Sequence, residues 1–284
     1  MHFAKSSNSL SGEDLPFEHY SLRHRAIAWI SQNLFDRFTY TVRHGLIHGM
    51  QRKGGLGWMP AGAANKEQLF WRDLPLDGLV IYDVGAFHGI LTLFFAARGA
   101  RVVAYEPNEM NHARLIENIR LNNLTNVEVR KLAVGSQARS GTLLYDPSMA
   151  GGGSLNPDAA AGVSQSVQIT TLDDDIAAAS LPVPDLIKID IEGWELPALE
   201  GARATLEAHH PRLFLEMHGE TMREKKRKAS AIVAFLCDAG YTDILHVESG
   251  VAITPGDETV AAEGHLYCLC PTSICSQTPT AKSD

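Results

Sequence analysis

From Val80 to Glu106 the chain reads VIYDVGAFHGILTLFFAARGARVVAYE, and no other stretch limits its folding so narrowly. Leu79 to Tyr82 is an apolar run too short for a helix and is stopped by Asp83-Val84-Gly85, which fits a parallel strand buried on both faces. Helical spacing takes over from Ile90 to Ala97, Gly99 closes that helix, and Arg101 to Tyr105 supplies a second strand. The unit is strand, helix, strand with a right-handed crossover, the building block of an α/β Rossmann-like sheet.

The turn Asp83-Val84-Gly85-Ala86-Phe87-His88-Gly89 selects the ligand. A dinucleotide site would carry glycine where Asp83 stands, because its backbone must approach a pyrophosphate. A carboxylate there repels phosphate and suits a ligand that is cationic at amino and sulfonium groups. Gly85 and Gly89 leave room for the chain to pass an adenosine and an amino-acid tail. Glu106, 23 residues after Asp83 and at the end of the second strand, is placed to accept ribose hydroxyls.

The 284 residues, 45% of them hydrophobic, allow one full-sized core plus an appendage. A net charge of −8 argues against a nucleic-acid partner, which needs a basic surface. There is no apolar run of about 18 residues, and the first residues lack the apolar core of a secretory signal. A cytoplasmic protein without membrane contacts is therefore expected, acting on a small molecule, and its oligomeric state is left open. Cys237, Cys268, Cys270 and Cys275 lack the paired spacing of a zinc site and read as reduced thiols.

Helical spacing predicts helices over about His19 to Phe38 and Tyr40 to Met50, in an appendage (residues 1–75) that caps the substrate side. His44 and His48, four apart, have no acidic neighbour in sequence and read as surface or interface histidines. A short helix from Asn65 to Trp71 leads into the main domain, residues 76–271. There, helices are expected over Met110 to Leu121, Leu196 to Ala208 and Arg227 to Ala239, and a strand over Val127 to Leu132, with Ala133 against the adenine. Gly141 to Tyr145 and Val167 to Thr170 read as strands joined by Asp146 to Ser166, a glycine-bearing linker that is either a lid or disordered. Strands near Tyr241 to Glu248 and His265 to Cys270 complete a seven-stranded, mostly parallel sheet whose last strand is antiparallel. Residues 272–284 read as an unstructured tail.

Two strand ends carry ionisable groups where a buried strand should be apolar. In Asp185-Leu-Ile-Lys-Ile-Asp-Ile-Glu192, strand period puts Lys188, Asp190 and Glu192 on one side. Arg212-Leu-Phe-Leu-Glu-Met-His218 does the same for Glu216 and His218. Ligands of open α/β sheets bind beyond the carboxyl ends of the strands, where these five groups would meet. A buried ion-pair network is the competing explanation.

Asp83-Val84-Gly85-Ala86 with Gly89, Tyr105-Glu106-Pro107, Thr171-Leu172-Asp173, Ile187 to Gly193 with Glu195, Leu199 and Gly201, and Glu216 with His218 together resemble the FkbM family of S-adenosylmethionine-dependent methyltransferases. The similarity spans about residues 78 to 220. It implies a class I methyltransferase fold and O-methylation of a sugar, polyketide or other secondary metabolite. Asp83, Gly85, Ala86, Gly89 and Glu106 match the cofactor motif, flanked by Pro107, whereas Phe87 and His88 stand where small or amide residues are usual. For the chemistry, His218 is the first candidate base, held by a carboxylate such as Glu216, with Lys188 steadying oxyanion charge or pairing with Asp190. A Mg²⁺ ion on Asp190, Glu216 and His218 is the second arrangement. N-methylation, a nucleotide-linked oxidoreductase and a non-catalytic cofactor-binding protein are the alternatives.

Overall fold

The computed structural model describes residues 38–54, 64–145, 153, 155, 163–219, 221–256 and 258–271. All but the last residue, Phe38, of the helix expected from His19 lies outside these residues, as do the C-terminal tail and most of the Asp146 to Ser166 linker. Strands β1 (Tyr40–Thr41) and β2 (Gln51–Arg52) pair antiparallel, followed by α1 (Lys66–Asp73), β3 (Val80–Val84), α2 (Ile90–Ala97) and β4 (Arg101–Tyr105). Next come α3 (Glu109–Leu121), β5 (Val127–Arg130), β6 (Ala133–Val134), β7 (Arg139–Tyr145), β8 (Val163–Thr170) and α4 (Leu172–Ala179). The last part holds β9 (Leu186–Ile189), α5 (Glu195–Glu200), α6 (Arg203–His209), β10 (Arg212–Glu216), α7 (Met222–Asp238), β11 (Asp243–His246), β12 (Val251–Ala252), α8 (Glu258–Ala261) and β13 (His265–Leu269).

The main sheet runs β12-β11-β13-β10-β9-β3-β4-β5. Its seven long strands follow the expected doubly wound pattern, with β13 inserted antiparallel between β10 and β11, and the two-residue β12 adds an eighth at the edge. Strand parity divides the interior. Tyr82, Val84, Ile187, Ile189, Leu213 and Leu215 pack with Leu172, Leu199, Leu206, Ile232 and Leu236 on one face. Ile81, Val102, Leu186 and Phe214 pack with Trp71, Leu93, Phe95 and Leu115 on the other. Asp83, Lys188, Asp190, Glu216 and His218 share the parity of this second face, so the chain places its charges where α1 and α2 cover the sheet. Among the described residues no helix is long and apolar enough to cross a membrane.

Four readings from the sequence need correction. Tyr40 to Met50 is a hairpin, not a helix: Gly49 N donates to Val42 O at 2.8 Å, and Gly45 and Gly49 have φ of 75° and 85°. The hairpin is held from α3, where Asn122 Oδ1 accepts from Gln51 N and Asn118 Oδ1 from Lys53 N, both at 2.8 Å. Residues 139–145 and 163–170 form, with β6, a separate three-stranded sheet in the order β6-β8-β7. The helix expected over Leu196 to Ala208 breaks after Gly201, whose α-carbon packs so close to Gly135 that a Cβ would lie 2.0 Å from its carbonyl oxygen. The helix expected from Arg227 starts a turn and more earlier, at Met222, with the Thr221 hydroxyl accepting from Glu224 N at 3.2 Å.

Trp71 is fully buried, 4.2 Å centroid to centroid from Phe214 and 4.9 Å from Phe95, so it is the anchor of α1 on the sheet. Trp71→Ala should lower unfolding free energy in urea by about 3–5 kcal/mol, and a loss under about 1 kcal/mol would mean that α1 is not docked there.

Candidate functional site

β3 ends in a turn that only glycine can make. Gly85 has φ of 83°, and a Cβ on it would lie 1.9 Å from Asp190 O. The tips of β3 and β9 therefore approach as closely as backbones allow. Gly89, with φ of 87°, starts α2 and would strike Leu115 if it carried a side chain. Phe87 also adopts positive φ, 51°, and its N–H donates to Glu106 Oε2 at 2.8 Å. Asn108 N donates to Glu106 Oε1 at 2.9 Å, so the carboxylate at the end of β4 is fixed by two backbone groups. Burial nevertheless dominates and raises Glu106 to about 7, with those hydrogen bonds opposing.

Over this turn lies an open cleft of about 780 Å³ counted out to its mouth. Gly85, Phe87, Glu106, Pro107 and Ala133, singled out in the sequence for the cofactor, line it together with Asp190 and Glu192. Asn108, Asn111, Leu143 and Ile191 line it too and were not foreseen, although Asn108 is legible as the N-cap of α3. Gly153 and Leu155, from the linker that the sequence offers as a lid, line it as well.

Asp83, Ala86, His88 and Gly89 do not line the cleft; they build the turn behind it. Asp83 is fully buried, its Oδ2 accepting from the Thr92 hydroxyl at 2.5 Å and its Oδ1 lying 3.2 Å from Lys188 Nζ. Its charge is neutralised inside the sheet, so it does not itself meet a ligand. His88 is buried against Phe87, ring on ring at 3.8 Å, and burial with nearby Arg52 and Arg114 lowers it to about 3, which keeps it neutral.

The five charged strand-end groups do converge. Lys188 Nζ reaches Asp83 Oδ1, Asp190 Oδ2 at 3.3 Å and Gly85 O at 2.9 Å. One N–H donates to Gly85 O, and the two carboxylates pair with its charge. Burial opposes its charge, but Asp190 and Asp83 outweigh burial and raise its pKa. Of the two roles expected for Lys188, pairing is therefore the one the geometry provides. Burial likewise opposes the Asp190 charge, and Lys188 and His218 lower its pKa against it.

His218 hangs from Glu195, not from Glu216 as expected: Nδ1 lies 3.0 Å from Glu195 Oε1. Glu195 is buried and also accepts from Gly193 N at 2.8 Å. The Nε2 side faces Glu192 and Glu216 at 3.6 Å each and Asp190 at 3.8 Å. Burial would lower the imidazole, but the Glu195 hydrogen bond and the Glu192 and Asp190 charges win and raise it to about 9. Glu192, in a left-handed turn with φ of 54°, is raised to about 7 by burial and by its carboxylate neighbours. Behind Glu216 stands its cross-strand neighbour His265, 3.6 Å away, itself bonded to Glu248 at 2.5 Å and raised to about 9. One ligand atom each of Asp190, Glu216 and His218 lies within 4.8 Å of the others.

Both histidines bind protons more tightly folded than unfolded. Each stabilises fully below its ordinary value of 6.5, and that stability disappears as pH rises through about 9. Unfolding free energy should fall from pH 6.5 to 9, and His218→Gln should remove part of that slope. An unchanged slope in the variant contradicts the charged imidazole.

The Methyltransferase FkbM domain model matches residues 83–242. Hexuronic acid methyltransferase AglP of Haloferax volcanii is 28% identical over 129 residues, 45% of this chain and 52% of that protein. The chain thus spans about half the length of this relative. Among solved structures, a methyltransferase FkbM from Methylobacillus flagellatus is 21% identical with a TM-score of 0.47, over 72% of this chain and 48% of that one. A precorrin-6y C5,15-methyltransferase from Geobacter metallireducens is 17% identical with a TM-score of 0.38, over 71% of this chain and 83% of that one.

Proposed function

Because the chain belongs to the FkbM methyltransferase family, whose domain covers residues 83–242, we propose that it transfers a methyl group from S-adenosylmethionine to a hydroxyl of a small polyhydroxylated molecule. The cofactor supplies a methyl group activated on a sulfonium and leaves as S-adenosylhomocysteine. The cleft suits it: Glu106 offers a carboxylate for a ribose diol, Ala133 and Val134 an apolar wall for a base, and Asp190 and Glu192 negative charge for a cationic tail. Of these, Asp190, whose pKa is lowered, disfavours a pyrophosphate beside the turn, the argument against a nucleotide-linked oxidoreductase, whereas an acid placed like Glu106 serves a ribose in either cofactor. The exclusion made from Asp83 alone passes to Asp190, which lines the cleft.

A hydroxyl needs a proton acceptor, and the observation that carries this reading is the His218–Glu195 pair beside Glu192. With Nδ1 held by Glu195, the Nε2 lone pair is the site that takes the hydroxyl proton once the imidazolium has lost its own. The relative from Haloferax volcanii, named for a hexuronic acid, supports a hydroxyl-bearing acceptor. With labelled S-adenosylmethionine and a panel of sugars, kcat/KM should rise about tenfold per pH unit up to about 9, where His218 titrates. His218→Gln should lose about 10²–10⁴-fold and flatten that rise; a variant with an unaltered profile removes His218 as base.

The grouping of Asp190, Glu216 and His218 favours a second reading, in which a divalent cation polarises the acceptor hydroxyl. The two carboxylates fit a hard cation, whereas His218 must first lose its proton. Loss of turnover in EDTA, restored by Mg²⁺, would support it, and full turnover in chelator would exclude it.

A further inference from the structure

Arg52, on β2, is only 2% exposed, and its Nε has no hydrogen-bond partner among the described residues. Arginine is almost never buried so deeply unless a carboxylate answers it. The described groups whose charges bear on it are Tyr40, Arg114 and His88, and none of them carries a carboxylate. Burial lowers the Arg52 pKa, Tyr40 opposes that, and the Arg114 charge adds to it.

The hairpin delivers this charge to a fixed place. Asn118 of α3 accepts from Lys53 N at 2.8 Å through Oδ1 and donates to His88 O at 2.9 Å through Nδ2. The residue after Arg52 and the residue before Gly89 therefore hang from one side chain. Gly89 opens α2, and no side chain caps that end. Its first turn holds no acid, its leading N–H groups have no partner within the helix, and Ile90 is exposed. His88 Nδ1, buried beside it, has no partner among the described residues either. An uncapped helix N-terminus with a buried cation behind it suits an anion.

The cofactor cleft has the opposite imbalance. Phe87, stacked on His88, lines it, yet none of its described lining residues is lysine, arginine or histidine. S-adenosylmethionine ends in an ammonium and a carboxylate on one carbon. Asp190 and Glu192 suit the ammonium, and that lining holds no positive charge for the carboxylate.

We propose that the carboxylate of the donor's amino-acid tail sits at the start of α2 and that Arg52 is its counter-charge, a positioning residue acting across His88 and not by contact. Arg52 lies outside residues 83–242, so this contribution comes from beyond the matched family domain. The inference rests on S-adenosylmethionine being the donor.

The test is calorimetric titration of the whole chain at low ionic strength with S-adenosylhomocysteine and with its decarboxylated analogue, which keeps the amine. The unaltered chain should bind the first about tenfold or more tightly, the scale of one opposite charge a side chain away. In Arg52→Met, which loses the charge and keeps an apolar stem, that preference should vanish while the analogue binds as before. Arg52→Lys should retain most of it. Equal weakening of both ligands, no preference in the unaltered chain, or an unchanged preference in Arg52→Met would each overturn the inference. Stability separates this role from a structural one. Removing an unanswered buried charge should raise the urea midpoint of the ligand-free chain, so a lower midpoint, or failure of Arg52→Met to fold, overturns it too. Should neither compound give heat, the cofactor reading fails and this inference with it, whereas heat from both without a preference sinks this inference alone.

Discussion

The site depends on one buried ammonium. Lys188 sits between Asp83 on β3 and Asp190 beyond β9 and donates to Gly85 O. Withdrawing such charges from water costs several kcal/mol per ion, which is offset here by two carboxylates facing one ammonium and by the Thr92 hydroxyl donating to the far side of Asp83. The pairing follows from register: Asp83 and Lys188 are directly opposed across parallel strands. It fixes the depth of the glycine turn through Gly85. It also fixes Asp190, whose Oδ2 is held by Lys188 while Oδ1 is left towards His218.

Local pattern carried the fold where neighbours in sequence are neighbours in space. The strand, turn and helix from Val80 to Ala97 could be read because glycine, apolar period and the following strand all act within a few residues. Strand parity likewise put Lys188 and Asp190 together, and Glu216 with His218. The errors arose where distant groups decide. Tyr40 to Met50 has helical spacing, yet two glycines at positive φ and asparagines from α3, more than 60 residues on, make it a hairpin. Asp83 read as a ligand contact because nothing local reveals a lysine 105 positions away that neutralises it.

His218 shows the same limit at the level of chemistry. Its type and place at the end of β10 were legible, but its partner was not. Glu195 lies at the start of α5, and only the left-handed turn at Glu192 and Gly193, with φ of 54° and 92°, swings it under the ring. The signal was there in the motif Glu192-Gly193-Trp194-Glu195. Its consequence was not, because a carboxylate at a helix start ordinarily serves the helix. The imidazole that results is proton-rich, surrounded by four carboxylates within 3.8 Å of its two nitrogens. As the proposed base, His218 acts only after losing its proton, so on that reading the acid cluster that orients it also sets the pH at which it works.

That turn also separates two clefts. Glu192 lines the cleft over the glycine turn, while Gly193, Trp194 and Glu195 line a second. A non-glycine residue in the left-handed region costs about 1–2 kcal/mol, and Glu192 is held there by the Gly193 N–H bonded to Glu195. Gly193 itself has φ of 92°, the left-handed region that favours glycine. Methyl transfer from a sulfonium is an in-line displacement, which requires the nucleophile opposite the leaving sulfur. On the proposed reading the donor lies in the cleft of Asp190 and Glu192, and the turn that carries Glu192 ends in the carboxylate that holds His218 Nδ1, so one short segment links the cofactor cleft to the base.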